Sequence, residues 1–231
     1  MKDLNERIII ALDFDRYDQA KSCVDQLDQA VFFKVGLQAF LEYGHLIISY
    51  IKKKNKKLFL DLKFKDIPNT VSGAVKSSFI HDPDFLTIHT SGGAEMIRTA
   101  VKAAAVKPHL TLLGVTVLTS LSDKDLDDTG VGLSTVDAVL RLCELGLNNG
   151  LKAFVCSPQE IAPIRQRFGK EPLLVTPGIR PQWSAAGDQK RIFTPKDAVT
   201  SGSDYLVIGR PITGDPNPSD AFSRILTEIE Q

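Results

Sequence analysis

The chain has 231 residues, 43% of them hydrophobic and 24% charged, enough apolar material for one large α/β domain or two small ones. Its 28 Lys and Arg balance 28 Asp and Glu, so the net charge is zero and there is no global electrostatic footprint for nucleic acid or a membrane surface. Three widely spaced cysteines, Cys23, Cys143 and Cys156, argue against a disulfide framework or a zinc site and suit a reducing compartment. Residues 1–7 carry mixed charge and run straight into a strand pattern, with no signal peptide or membrane span, so a soluble cytoplasmic protein is expected.

From residue 7 a short β-rich run, a polar turn and an amphipathic helical stretch recur. Strands are expected at 7–13, 31–36, 58–63, 85–89, 110–118, 151–156, 173–176 and 205–209. Helices are expected at 15–29, 37–54, 68–80, 93–106, 135–148, 158–168, 195–201 and 219–230. No composition break or linker interrupts the series, which predicts a single domain over 1–231. Eight βα units suggest an α/β fold of the closed (β/α)₈ barrel type, whose usual length is about 250 residues. An open doubly wound sheet would use fewer strands and a Gly-rich first turn, which this chain lacks.

In a barrel of this kind, chemistry belongs at the C-terminal ends of the strands. Those ends carry Asp13, Lys34, Asp61 with Lys63, His89, Thr119, Ser157, Arg180, and Gly209 with Arg210. Strand alternation puts Phe32, Lys34 and Gly36 on one face, Phe59, Asp61 and Lys63 on another, and Asp13 with Ile9 and Ala11. Asp13, Lys34, Asp61 and Lys63 can therefore form an array of alternating charge at one barrel mouth. Charges there must be paired or used, because burying them alone is costly. A salt-bridged plug that merely stiffens the barrel top is the structural alternative. It does not need charges from three consecutive strands.

Two stretches break the compact pattern. Residues 120–134 are polar and acidic, and 178–194 form a long connection running from Arg180 past Gln189. Connections of this length often close over a ligand. Barrels commonly hold phosphate in the loops after their seventh and eighth strands. Arg180 and the pair Gly209 and Arg210 sit there, and a guanidinium can grip phosphate through two hydrogen bonds. The lysine-rich run 52–57 reads as the solvated end of the second helix, where cations suit the dipole. The four histidines lack metal-ligand spacing, although His89 at a strand end could assist a site.

The run Asp61-Leu62-Lys63-Phe64-Lys65-Asp66-Ile67-Pro68-Asn69-Thr70 resembles the D-x-K-x-x-D-I-x-x-T signature of the orotidine 5′-phosphate decarboxylase family. Ile10-Ala11-Leu12-Asp13, Phe33-Lys34-Val35-Gly36, Pro177-Gly178-Ile179-Arg180 and Val207-Ile208-Gly209-Arg210-Pro211-Ile212 look like its other blocks, in the same order. D-x-K-x-x-D alone is shared with sugar-phosphate decarboxylases; the ensemble is more specific. The resemblance implies decarboxylation of orotidine 5′-phosphate to uridine 5′-phosphate, in pyrimidine nucleotide synthesis, with no metal or organic cofactor. Carried onto this chain, it makes Lys63 the proton donor to C6, with Lys34, Asp61 and Asp66 completing the charge array. Asp13 and Thr70 match ribose-contacting positions, Thr119 a pyrimidine-contacting one, and Arg180, Gln189, Gly209 and Arg210 the phosphate-gripping set. The family pattern also places Asp66 and Ile67 in the neighbouring subunit's site, implying a homodimer. A local alternative for Asp66 is to cap the helix that begins at Pro68.

Other readings stay open on the residues alone. One is a barrel enzyme acting on phosphorylated sugars, using a metal or a Lys63 Schiff base. Another is a phosphate-ligand sensor without turnover.

Overall fold

In the computed structural model, which describes residues 4–184 and 193–230, eight parallel strands close in the order β1-β2-β3-β4-β5-β6-β7-β8. The strands are β1 (Ile8–Ala11), β2 (Phe32–Gly36), β3 (Lys57–Phe64), β4 (Phe85–His89), β5 (Thr111–Val115), β6 (Ala153–Val155), β7 (Leu173–Thr176) and β8 (Tyr205–Ile208). The helices are α1 (Tyr17–Gln26), α2 (Leu37–Lys53), α3 (Pro68–Ser77), α4 (Ala94–Ala104), α5 (Asp123–Asp128), α6 (Thr135–Asn148), α7 (Ile161–Phe168), α8 (Pro195–Thr200), α9 (Arg210–Thr213) and α10 (Pro218–Glu230). The expected (β/α)₈ barrel is the observed fold.

Strands β1 and β2 are buried along their whole length, with Ile8, Ile9, Ile10 and Phe33 fully shielded. Parallel strands covered on both faces read as continuous apolar runs, which is why Ile8–Ala11 lacks polar alternation. Register is direct: Ala11 pairs with Lys34, Lys34 with Phe59, and Gly36 with Asp61.

Several boundaries move. The first strand stops at Ala11, so Asp13 lies in the following turn and not on the strand. The fifth stops at Val115, and just beyond it the Thr116 hydroxyl donates to the Val155 carbonyl at 2.9 Å. The polar stretch 120–134 contains α5, whose Ser122 and Asp125 form a reciprocal capping box. Its sequence has no apolar period, and the Ser-x-x-Asp spacing was its only signal. Helix α9 is likewise too short to show a period.

The chain packs as two compact units, Met1–Leu62 with Thr176–Gln231, and Lys63–Val175. The core of the first includes Ile8–Ile10, Phe32, Phe33, Ile47, Ile51 and Phe222. Arg7 ties the residues before β1 to those just before β8, donating to the carbonyls of Ser203 and Asp204 at 2.7 and 3.3 Å. In the same unit, Asp25 on α1 meets Lys21 at 2.7 Å and Lys54, just past α2, at 2.8 Å, and accepts from the Tyr50 hydroxyl. The lysine run is thus partly paired at the end of α2. The second unit centres on Leu86, Ile88, Leu113, Val139, Phe154 and Ile164.

Candidate active site

Within the first unit, Lys34 is the central charge. Its ammonium lies 3.2 Å from Asp13 Oδ1 and 3.5 Å from Asp61 Oδ2. Lys34 is 8% exposed, and the Asp61 side chain is nearly as shielded, whereas Asp13 opens to solvent. The sequence explains the meeting. Asp61 stands opposite Gly36 in the register, two residues along β2 from Lys34, so both side chains leave the sheet on one face. Gly36 leaves room for the ammonium. A Cβ there would sit 3.1 Å from Lys34 Nζ and 3.4 Å from Asp13 Oδ1.

Asp13 is held from behind. The Tyr43 hydroxyl donates to the Phe14 carbonyl at 2.6 Å, and Gln38 Nε2 donates to Asp15 Oδ1 at 2.7 Å. Both come from α2, which departs from helical geometry at Tyr43. Sequence reading missed these supports. A tyrosine in an amphipathic helix looks like ordinary core, and only the fold shows which turn its hydroxyl reaches.

Arg180, also in this unit, is 8% exposed, and its backbone N–H donates to the Phe193 carbonyl at 3.0 Å. It follows Gly178, whose φ of 80° suits glycine. Gly209 precedes α9, with Arg210 exposed at the first helical position. Gln189 lies outside the described residues.

The second unit holds Lys63, Asp66, Ile67, Thr70, Thr119 and His89. Lys63 adopts φ = 49°, a left-handed conformation rare for a side chain other than Gly or Asn, at the next-to-last residue of β3. Strict alternation therefore ends at Leu62. The Lys63 N–H donates to the Thr87 hydroxyl at 2.8 Å, and Thr87 is fully buried on β4. Left-handed backbone of this kind costs about 1–3 kcal/mol and clusters at functional sites. Thr87 was not foreseen, since a threonine inside a strand carries no local functional signal.

Asp66 is exposed and its Oδ1 accepts from the adjacent Ile67 N–H at 2.7 Å. It does not cap α3. The N-cap position is Ile67, which makes no side-chain cap bond and is itself 68% exposed. The local capping alternative for Asp66 is thereby corrected: the carboxylate spends its hydrogen bond one residue too early. Thr70 is exposed on the first turn of α3, and Thr119 is exposed beyond β5. The same unit has a cavity of about 1210 Å³ lined by Lys65, His89, Thr116, Val117, Leu118 and Arg141 among others. Most of its lining comes from α5, α6 and the residues between them, and it includes none of Lys63, Asp66, Ile67, Thr70 and Thr119.

Other reactive groups lie elsewhere in the chemistry. Burial pushes the thiols of Cys23 and Cys143 up to about 12, which makes both inert as nucleophiles. Among the described residues no cluster of His, Cys, Asp and Glu could hold a metal ion, and no helix is long and apolar enough to cross a membrane.

Known proteins share this arrangement of sequence and fold. Residues 6–225 match the model of the orotidine 5′-phosphate decarboxylase / HUMPS family. An orotidine 5′-phosphate decarboxylase of Synechocystis sp. is 43% identical over 226 residues, covering 97% of this chain and 98% of that protein. One from Mannheimia succiniciproducens is also 43% identical, over 98% of both chains. The crystal structure of an orotidine 5′-phosphate decarboxylase from Lactobacillus acidophilus superposes with a TM-score of 0.86 at 34% identity, covering 98% of this chain and all of that one. With a family model matching residues 6–225, relatives 43% identical over nearly the whole chain and a solved barrel of the same length superposing on it, the chain belongs to the orotidine 5′-phosphate decarboxylase / HUMPS family.

Proposed function

We propose that this protein decarboxylates orotidine 5′-phosphate to uridine 5′-phosphate in pyrimidine nucleotide synthesis, without metal or organic cofactor and with Lys63 as the proton donor. The observation that carries the reading is the Asp13–Lys34–Asp61 array, with Lys34 and Asp61 shielded on β2 and β3 and Asp13 reaching Lys34 from the turn after β1, in a chain with whole-length similarity to proteins of that name. In the reaction the bond from C6 to the carboxylate breaks, CO₂ leaves, and the electron pair stays on C6. A proton from Lys63 Nζ then forms the new C6–H bond. The ring offers no adjacent carbonyl sink for that charge. One ammonium at about 4 Å contributes only about 4 kcal/mol at an effective dielectric near 20. The rest of the barrier reduction is assigned to charges fixed before the reaction starts, and to binding energy from the remote phosphate.

In this reading Lys34 keeps Asp13 and Asp61 in place, Asp61 borders the leaving carboxylate, and Asp13 and Thr70 take the ribose. Thr119 contacts the pyrimidine, and Arg180, Gln189, Gly209 and Arg210 take the phosphate. The left-handed backbone at Lys63 supports a functional role there, because strain is retained where geometry is specified. Asp66 and Ile67 are assigned to the neighbouring site of a homodimer; a large apolar side chain left 68% exposed beside an exposed carboxylate is consistent with burial against a second copy. Three buried cysteines that form no disulfide are compatible with a cytoplasmic location.

The test follows the loss of orotidine 5′-phosphate absorbance with and without a chelator. Undiminished turnover in chelator is expected. Lys63→Ala should abolish turnover and still bind uridine 5′-phosphate, since the phosphate grip is elsewhere. Near-normal turnover in that variant would sink the assignment, and loss of activity on chelation would favour a metal-dependent sugar-phosphate enzyme.

A further inference from the structure

Arg224, on α10, lies outside the residues assigned to substrate, yet three groups converge on it. Its guanidinium carbon stacks 3.8 Å from the centre of the Trp183 ring. Its Nη2 lies 2.7 Å from Asp215 Oδ2, and its Nε lies 3.0 Å from Asp220 Oδ2. Asp220 is one turn back on the same helix. The other two partners are not local. Trp183 stands three residues after Arg180, and Asp215 stands five residues after Arg210.

Each partner sits in a short, hydrogen-bonded segment that leads back to its arginine. Residues 181–184 form a turn in which both the N–H and the hydroxyl of Ser184 donate to the Pro181 carbonyl at 3.0 Å. Asp215 N–H donates to the Ile212 carbonyl at 3.2 Å, Gly214 N–H to the Arg210 carbonyl at 3.0 Å, and Asp215 Oδ1 accepts from Asn217 N–H at 2.9 Å. A displacement at either end is therefore passed along a few bonds to Arg180 or to Arg210. A planar guanidinium can stack on an indole through its face while its edge donates to carboxylates, which a lysine ammonium cannot do in the same way. One side chain thus clasps both phosphate-facing segments.

We infer that Arg224 is a positioning residue that holds the Arg180 and Arg210 segments in register for a single phosphate monoester. The inference rests on the reading that those two arginines bind the substrate phosphate. Arg224 itself touches no reacting atom, so its effect must appear only for substrates that carry the phosphate.

The experiment compares kcat/KM for orotidine 5′-phosphate with kcat/KM for orotidine, the same molecule without phosphate, in Arg224→Met, Arg224→Lys and Trp183→Ala. Arg224→Met is expected to lower kcat/KM for the phosphorylated substrate about tenfold, chiefly through KM, and to leave orotidine unchanged. Arg224→Lys should fall between wild type and Arg224→Met. Trp183→Ala should lose a similar factor, and the double variant should be little worse than either single one, as expected for one coupled unit. An equal loss on both substrates would mark a purely structural role and overturn the inference, as would a change of less than twofold on the phosphorylated substrate. Should Arg224→Met not fold, the same substrate comparison in Arg224→Lys decides the matter. Failure of the underlying reading looks different: wild type would not turn over orotidine 5′-phosphate, or Arg210→Ala would leave its KM unaltered.

Discussion

Lys34 is a cation nearly withdrawn from water whose two carboxylate neighbours arrive by different routes, Asp61 by strand register and Asp13 by a turn propped from α2. Such a group is sensitive to sub-ångström changes, because its Coulomb partners lie close and screening is weak. Gly36 offers a way to disturb it without touching the charges. Its φ of −89° suits any residue, so Gly36→Ala meets no backbone strain, but the added Cβ would approach Lys34 Nζ to 3.1 Å. The ammonium should shift by a few tenths of an ångström. Gly36→Ala is expected to lower kcat about 10-fold or more while the melting temperature moves little. Wild-type kcat in this variant would mean that the Lys34 position is not critical. The residue scale also shows what periodicity conceals: Lys63 continues the β alternation by count alone, whereas its left-handed backbone and its bond to Thr87 set its course.

Among the elements, the junction of β6 with α7 carries a titratable group that the proposed chemistry does not use. Glu160 is 4% exposed, and its Oε2 accepts from Ser157 N–H at 2.7 Å. Burial raises its carboxyl pKa, and the bond from Ser157 only partly opposes this. The folded value then lies above the unfolded one. The stability linked to this proton is present below the unfolded value and is lost as pH rises through the folded one. Glu160→Gln keeps an oxygen for the Ser157 N–H and cannot ionise. Its melting temperature should therefore fall less than wild type's as pH rises above the ordinary glutamate range. Parallel profiles for the two proteins would place the titration in another group. Helices and strands were mostly readable because each has its own period, Pro68 and Pro195 mark helix starts, and apolar runs mark strands. Helix α5 escaped because an acidic six-residue helix is defined by its caps alone.

At the scale of the whole molecule, the proposed dimer makes a prediction that no single-site variant can. If Lys63 of one subunit works with Asp66 of the other, Lys63→Ala and Asp66→Ala dimers should each be inactive, and mixing them with subunit exchange should restore activity. A statistical mixture makes half of the dimers hybrid, each with one intact site, so recovery should approach about a quarter of wild type. No recovery under conditions that exchange subunits would place Asp66 in its own subunit's site or outside catalysis.

The sequence by itself determined the strand series, the barrel class, and the spacing that sets Asp61 and Lys63 two residues apart with Lys34 on the strand before. Those follow from local periodicity and from the few ways that successive βα units close. Only the tertiary structure decided that Asp13 leaves β1 before it meets Lys34, that Tyr43 supports that turn, that Thr87 holds the Lys63 backbone, and that Arg224 joins Trp183 to Asp215. These contacts link residues between 9 and 41 positions apart, and no sequence period specifies them. They depend on where the closed sheet brings distant turns together, and on side chains whose direction is fixed by packing.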